Sequence, residues 1–240
     1  MTLILVQTVF QSILSTLHWL GFYAGIQALD GPKTRKWIWT LGSAIFAFAL
    51  LLGILLLASD NFFRPGETPP RIPLVLAGTL LLGYLLLLSD DFRAIIASIP
   101  PHWLIAIQTS RVFGAIFLIR WWQGQAPAVF AIPAGVGDIL TGLFAPLVAY
   151  WWVARKPYAR TAAIAWNLFG MADLINAVTL GVVTGGGGGG IVFPIVLIPI
   201  YAVPRAFLVH SYSLIGLLRE PSRHSAARES LRYGIETART

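Results

Sequence analysis

The 240-residue chain contains no cysteine. Disulfides, Fe–S clusters, thiolate metal sites and cysteine nucleophiles are thereby excluded. Charge is nearly as scarce, with Asp, Glu, Lys and Arg making up 11% of the residues against about 25% in a soluble domain. So few charges cannot cover a water-soluble globule of this size. Lysine occurs only at Lys33, Lys36 and Lys156, outside the apolar runs, so there is no lysine for a retinal Schiff base. His18, His102, His210 and His224 form neither H-x-x-x-H nor H-E-x-x-H, spacings that place two zinc ligands on one helix face. The six glycines from Gly185 to Gly190 have no lysine after them. They read as a linker rather than a phosphate cradle.

What is present is apolar. Hydrophobic residues make up 57% of the chain and mean hydropathy is +0.75. They come in blocks of about 20, the length that crosses a bilayer. The sequence predicts an all-α membrane protein, a bundle of seven transmembrane helices over residues 3–28, 37–58, 72–88, 102–122, 127–153, 161–183 and 191–218. A short stretch, 90–99, reads as interfacial, because Pro100 and Pro101 interrupt it before any new span. Residues 1–218 form the membrane domain and 219–240 a polar basic tail. The tail could wind a short amphipathic helix, with Ser222 as cap and Ala227, Leu231 and Ile235 on one face.

The positive-inside rule orients this bundle. Lys33, Arg35, Lys36, Arg93, Arg155, Lys156, Arg160 and five tail arginines fall on one side, with only Arg64, Arg71 and Arg120 opposite. The N-terminus is expected outside and the C-terminus in the cytoplasm of a bacterial inner membrane. The first span lacks a basic n-region and a clear cleavage motif, so it reads as a retained helix. Trp37, Trp39, Trp121, Trp122, Trp151 and Trp152 cluster at span ends, as interfacial anchors do. The net charge of +7 therefore reports sidedness. The expected partners are the lipid bilayer and a small polar solute, with no nucleic acid, and no cofactor motif is present.

Two internal echoes stand out. Leu50 to Phe62 repeats at Leu80 to Phe92 with a shared Ser-Asp-x-Phe ending, read as a helix stop with an interfacial aromatic. Gly135-x-x-Asp138-x-x-x-Gly142 resembles Gly170-x-x-Asp173-x-x-x-Ala177, 35 residues later. Each set lies on one helix face, and small residues mark faces where membrane helices approach closely. Asp138 and Asp173 are expected to point inward, near one another.

Arg111, Asp138, Asp173 and Arg205 all fall near mid-span, in one layer. Each charge would cost at least ~2.5 kcal/mol unpaired at the bilayer centre, so two Asp–Arg pairs are expected. Gln108 and Asn176 lie one turn from this layer, and Asn167 lies further along the sixth span. Pro133, Pro146, Pro194, Pro199 and Pro204 each free a backbone carbonyl one turn earlier. On the first span Gln7, Gln11, Ser15 and His18 form a polar stripe. His18 and His210 lie at mismatched depths, which disfavours a haem. A metal triad of Asp138, Asp173 and His210 would require His210 to reach back about 7–8 Å at ~1.5 Å per residue.

From His102 to Leu218 the chain resembles a set of uncharacterised bacterial inner-membrane proteins. The resemblance rests on Gln108-x-x-Arg111, Pro133-x-Gly-x-Gly-Asp138, Trp166-Asn-x-x-Gly170-x-x-Asp173, and the stretch from Pro194 to His210. It implies a multi-pass fold and no particular activity. The leading expectation is a midplane site of Arg111, Asp138, Asp173, Arg205, Gln108, Asn176 and His210 that binds or moves a small polar or anionic solute or protons. An intramembrane enzyme on a lipid-like substrate, with the aspartates as acid and base, is one alternative. A sensor or scaffold with a structural salt-bridge network is the other.

Overall fold

Prolines and one serine set where several helices begin. Pro101 opens α5 (Pro101–Ala106), where its missing N–H costs nothing. Pro127 stands just before α7 (Ala128–Val153). Ser89 caps α4 (Asp90–Ser98), its Oγ accepting from Phe92 N at 3.3 Å, with Asp90 and Asp91 in the first turn, where carboxylates favour the helix dipole. The remaining helices are α1 (Thr2–Gln27), α2 (Lys33–Ser59), α3 (Arg71–Leu86), α6 (Ala115–Trp122), α8 (Ala159–Val183) and α9 (Val203–Arg219). The computed structural model describes residues 2–60, 62–63, 71–185 and 195–219. The side chain of Gln7, Arg64, Gly186 to Gly190, Pro194 and the tail from Glu220, with its predicted helix, lie outside the described residues.

Every described element is helical. Among the described residues four helical stretches are long and apolar enough to cross a bilayer: Lys33–Leu57, Pro101–Trp122, Ala128–Val153 and Ala159–Val183. A fifth follows if α3 and α4, bent by 94°, count as one broken span. The bend falls where the cap at Ser89 starts a new helix, so α4 runs across the direction of α3.

Two elements depart from continuous α-helix. Ile107–Gly114, between α5 and α6, is wound as a 3-10 helix, and Ile198–Ala202 before α9 is a π segment. The predicted span 102–122 is thus three pieces. Its buried positions show why: Ile105, Gln108, Arg111, Gly114 and Phe117 recur every third residue, and side chains three apart eclipse one another in a 3-10 helix. Pro199 sits inside the π segment, as expected where a missing N–H disturbs the ladder. Pro133 and Pro146 leave α7 continuous.

Large apolar side chains lie exposed on the outside, and a buried polar group sits within a mostly apolar interior. On α7, Val129, Val136, Leu140, Leu143 and Leu147 are exposed at spacings of seven, four, three and four, one helix face. The opposite face buries Ala131, Ala134, Gly135, Thr141, Gly142 and Ala145. α7 packs on α8 and on the 3-10 segment, α8 on α9, α9 on α3, and α1 on α2 and α4.

At the α2–α4 corner, Asp91 accepts from Arg35 Nε at 2.9 Å and Trp39 Nε1 at 2.7 Å, and also pairs with Arg35 Nη2. Phe92 is buried beside Phe22, Trp39 and Tyr212, with ring centroids 5.7, 6.4 and 5.7 Å away. It is a packing residue instead of the predicted interfacial anchor, because the turn at Ser89 folds it inward. Arg35, then Trp39, hold the Asp91 carboxyl down at about 2. A carboxyl with a lowered folded value contributes stability above its unfolded value, lost as pH falls through the folded one. The melting temperature should therefore drop between about pH 4 and pH 2, and Asp91→Asn should remove that part of the drop. Identical acid profiles would show that the corner does not titrate with folding.

Candidate functional site

The sequence placed four charges in one layer, and the fold sorts them into two groups. Arg111, on the 3-10 segment, binds both aspartates. Its Nε donates to Asp138 Oδ1 at 2.7 Å and its Nη2 to Asp173 Oδ2. Nη1 donates to the Gly170 carbonyl at 3.0 Å and approaches His210 Nε2 at 3.2 Å. The guanidinium fork has donors on three nitrogens, so one arginine joins α7, α8 and α9 at once. The expected two Asp–Arg pairs form on one arginine and not on two, because α7 and α8 lie side by side and a single fork reaches both carboxylates.

His210 belongs to this clamp despite its depth in the sequence count. Its Nδ1 sits 2.9 Å from Asn167 Oδ1, and since that oxygen only accepts, Nδ1 carries the proton and Nε2 accepts from Arg111. Asn167 Nδ2 donates onward to Ala163 O at 2.9 Å and Ser213 Oγ at 3.1 Å. The network therefore extends along the helices and is not confined to one layer. Trp166 lies 4.8 Å from the His210 ring and donates its indole N–H to Thr141 O at 3.0 Å. Among the described residues no buried side-chain N or O lacks a hydrogen-bond partner. Arg111 occupies the place between Asp173 and His210 where a triad metal would sit. Among those residues no group of three or more His, Asp or Glu is set to hold one.

Glycines make this approach possible. A Cβ at Gly137 would overlap the Asp173 carboxylate, and one at Gly170 would fall 2.5 Å from His210 Cε1 and Nε2. The Gly135, Asp138 and Gly142 face turns toward the 3-10 segment and α6. Cβ atoms added at Gly135 and Gly142 would stand 2.7 Å from Leu118 Cγ and 2.6 Å from Val112 N, and Asp138 lies against Gly114. The two small-residue faces thus pack as predicted on close neighbours, although on different ones.

Arg205 is elsewhere. Its Nη1 donates to Ser15 Oγ and its Nη2 to Gln11 Oε1, each at 3.1 Å, and its guanidinium lies 4.8 Å from the Tyr201 ring centroid. These partners are neutral, and among the described residues no carboxylate is paired with Arg205. It borders a cavity of about 60 Å³, several times the ~10–15 Å³ one water needs, that Gln11, His18, Gln108, Arg111 and Asp138 also line. Gln108 donates to Ala206 O at 2.8 Å, joining the 3-10 segment to α9. His18 Nδ1 sits 2.7 Å from Leu14 O, so His18 and His210 have separate partners. Asp173 and His210 are not among the cavity's lining residues. Asn176 is exposed and off the site.

A domain of unknown function, DUF8737, matches residues 69–218. The chain belongs to this family. The DUF8737 stretch contains the whole clamp, Arg205 and Gln108, while Gln11, Ser15 and His18 come from α1, outside it. No curated protein and no solved structure matches the chain.

Sequence reasoning missed Asn167, Trp166 and the Gly170 carbonyl as parts of the clamp. Trp166 lies two turns before Asp173 on the same face, whereas Asn167 lies about 120° around the helix at ~100° per residue, so a wheel drawn from Asp173 does not point to Asn167. The period of three from Ile105 to Phe117 is the signal that reveals the 3-10 winding.

Proposed function

We propose that this chain is a seven-span protein of a bacterial inner membrane, N-terminus outside and C-terminus in the cytoplasm. Its interior cavity binds or moves a small polar or anionic solute, protons included. Three described stretches beyond the four long apolar ones complete the spans: α1, α3, and the π segment with α9. α1 has 26 residues, about 39 Å at 1.5 Å per residue. Because the chain has no cysteine, single cysteines can be introduced without background. Cysteines at Lys156 and Gln125 should react with an impermeant maleimide from opposite faces. Labelling of both from one face would refute the orientation.

The observation that carries the solute reading is Arg205: a cation inside the bundle, bordering a cavity, with neutral partners only. An intramembrane charge marks a functional site by default, and Arg111 is already engaged. A purely structural role fits the Arg111 clamp, whose donors meet two carboxylates, a carbonyl and a histidine. It does not fit Arg205. An acid–base enzyme would need both carboxylates at one open site, whereas Arg111 holds both and only Asp138 lines the cavity. In proteoliposomes, Arg205→Gln should abolish saturable solute uptake or binding while the protein still folds. Unchanged uptake in that variant would remove the reading.

A further inference from the structure

The cavity's charges constrain what can enter it. By formal charge, Arg111, Asp138 and Asp173 sum to one negative charge and Arg205 supplies one positive charge. The site is neutral overall, yet polarised: an uncompensated cation on α9 and an anionic group reaching it from α7. Asp138 Oδ1 is taken by Arg111, and among the described residues no hydrogen bond reaches Oδ2. The Asp138 side chain keeps 16% exposure against 7% for Asp173, and it lines the cavity where Asp173 does not.

A bare anion beside Arg205 would leave the interior with one unpaired negative charge, and a bare cation beside Asp138 one unpaired positive charge. Either is costly in a medium of low dielectric. A ligand carrying both charges on one small frame adds none. We infer that the cavity binds a small zwitterion of amino-acid type, its carboxylate on the Arg205 guanidinium and its ammonium on Asp138 Oδ2. This rests on the reading of the cavity as a solute site and names the solute's class. The volume of about 60 Å³, several waters at ~10–15 Å³ each, accommodates a compact frame such as that of glycine. Gln11 and Ser15 hold the guanidinium in place, and Gln108, fixed to Ala206 O, adds a polar wall.

The test uses the full chain purified in detergent and three radiolabelled probes: glycine, acetate and methylammonium. Glycine should bind saturably and raise the melting temperature, with acetate and methylammonium each at least about tenfold weaker, a difference of ~1.4 kcal/mol. Arg205→Gln and Asp138→Asn should each weaken glycine binding by about tenfold or more. If acetate binds the wild-type chain as well as glycine does, the solute site stands and the zwitterion falls. Methylammonium matching glycine has the same meaning. If none of the three binds a wild-type chain that melts cooperatively, both readings fall. The probe comparison is made on the wild type, so a misfolded Asp138→Asn leaves the answer decided.

Discussion

Arg111→Gln is expected to be the most damaging single substitution in the chain. Arg111 is 4% exposed at its side chain and is the shared partner of Asp138 and Asp173. Removing it leaves two carboxylates facing one another without a cation, and frees Gly170 O and His210 Nε2 as well. Breaking one partner out of a buried ion pair costs about 3–5 kcal/mol, and here two pairs break together. Non-additivity offers the control. Neutralising both aspartates in the same chain (Arg111→Gln with Asp138→Asn and Asp173→Asn) should recover part of the loss, since coupled sites do not add. Reversible unfolding in detergent reads both numbers, and a triple variant no better than the single one would mean that the three residues are not coupled.

The second large effect is expected at Gly137. A Cβ there lands on the Asp173 carboxylate, so Gly137→Ala must push that side chain off Arg111. Overpacking alone costs about 1–3 kcal/mol. With the Asp173 pair weakened as well, the total should exceed ~3 kcal/mol. Gly78→Ala supplies the contrast. Nothing lies within 4 Å of its added Cβ, and alanine is the better helix former by ~0.8–1.0 kcal/mol, so that variant should be neutral or slightly more stable. Equal behaviour of the two alanines would contradict the close packing of α7 on α8.

The long apolar helices are legible because crossing a bilayer demands about 20 apolar residues in a row, and among the described residues four of them, or five with the bent α3–α4 pair, meet that length and composition. The membership of Arg111, Asp138 and Asp173 in one buried group followed from the same constraint. Their pairing did not follow, because it depends on how each helix is rotated about its axis. A 3-10 helix turns about 120° per residue where an α-helix turns about 100°. From Ile107 to Arg111 the difference accumulates to roughly 80°, so an α-helical wheel aims Arg111 wrongly. Arg205 was assigned to the aspartates on depth alone. The polar stripe on α1, visible as Gln11 and Ser15, was the clue that this arginine has a different neighbour. His210, a member of the expected site, stands off the layer by residue count, and Asn167 and the long Arg111 side chain bridge the offset.

We propose two roles for the interior arginines: Arg111 holds the bundle together and Arg205 serves the cavity. The measurement that tests this most directly is the unfolding free energy of Arg111→Gln and Arg205→Gln, side by side in one detergent without added solute. Arg111→Gln should lose about 3–5 kcal/mol. Arg205→Gln removes a cation whose hydrogen-bond partners are neutral and leaves both Arg111 ion pairs in place, so it should lose much less than Arg111→Gln. An Arg205→Gln chain destabilised as much as Arg111→Gln would contradict the division, and make Arg205 a structural residue.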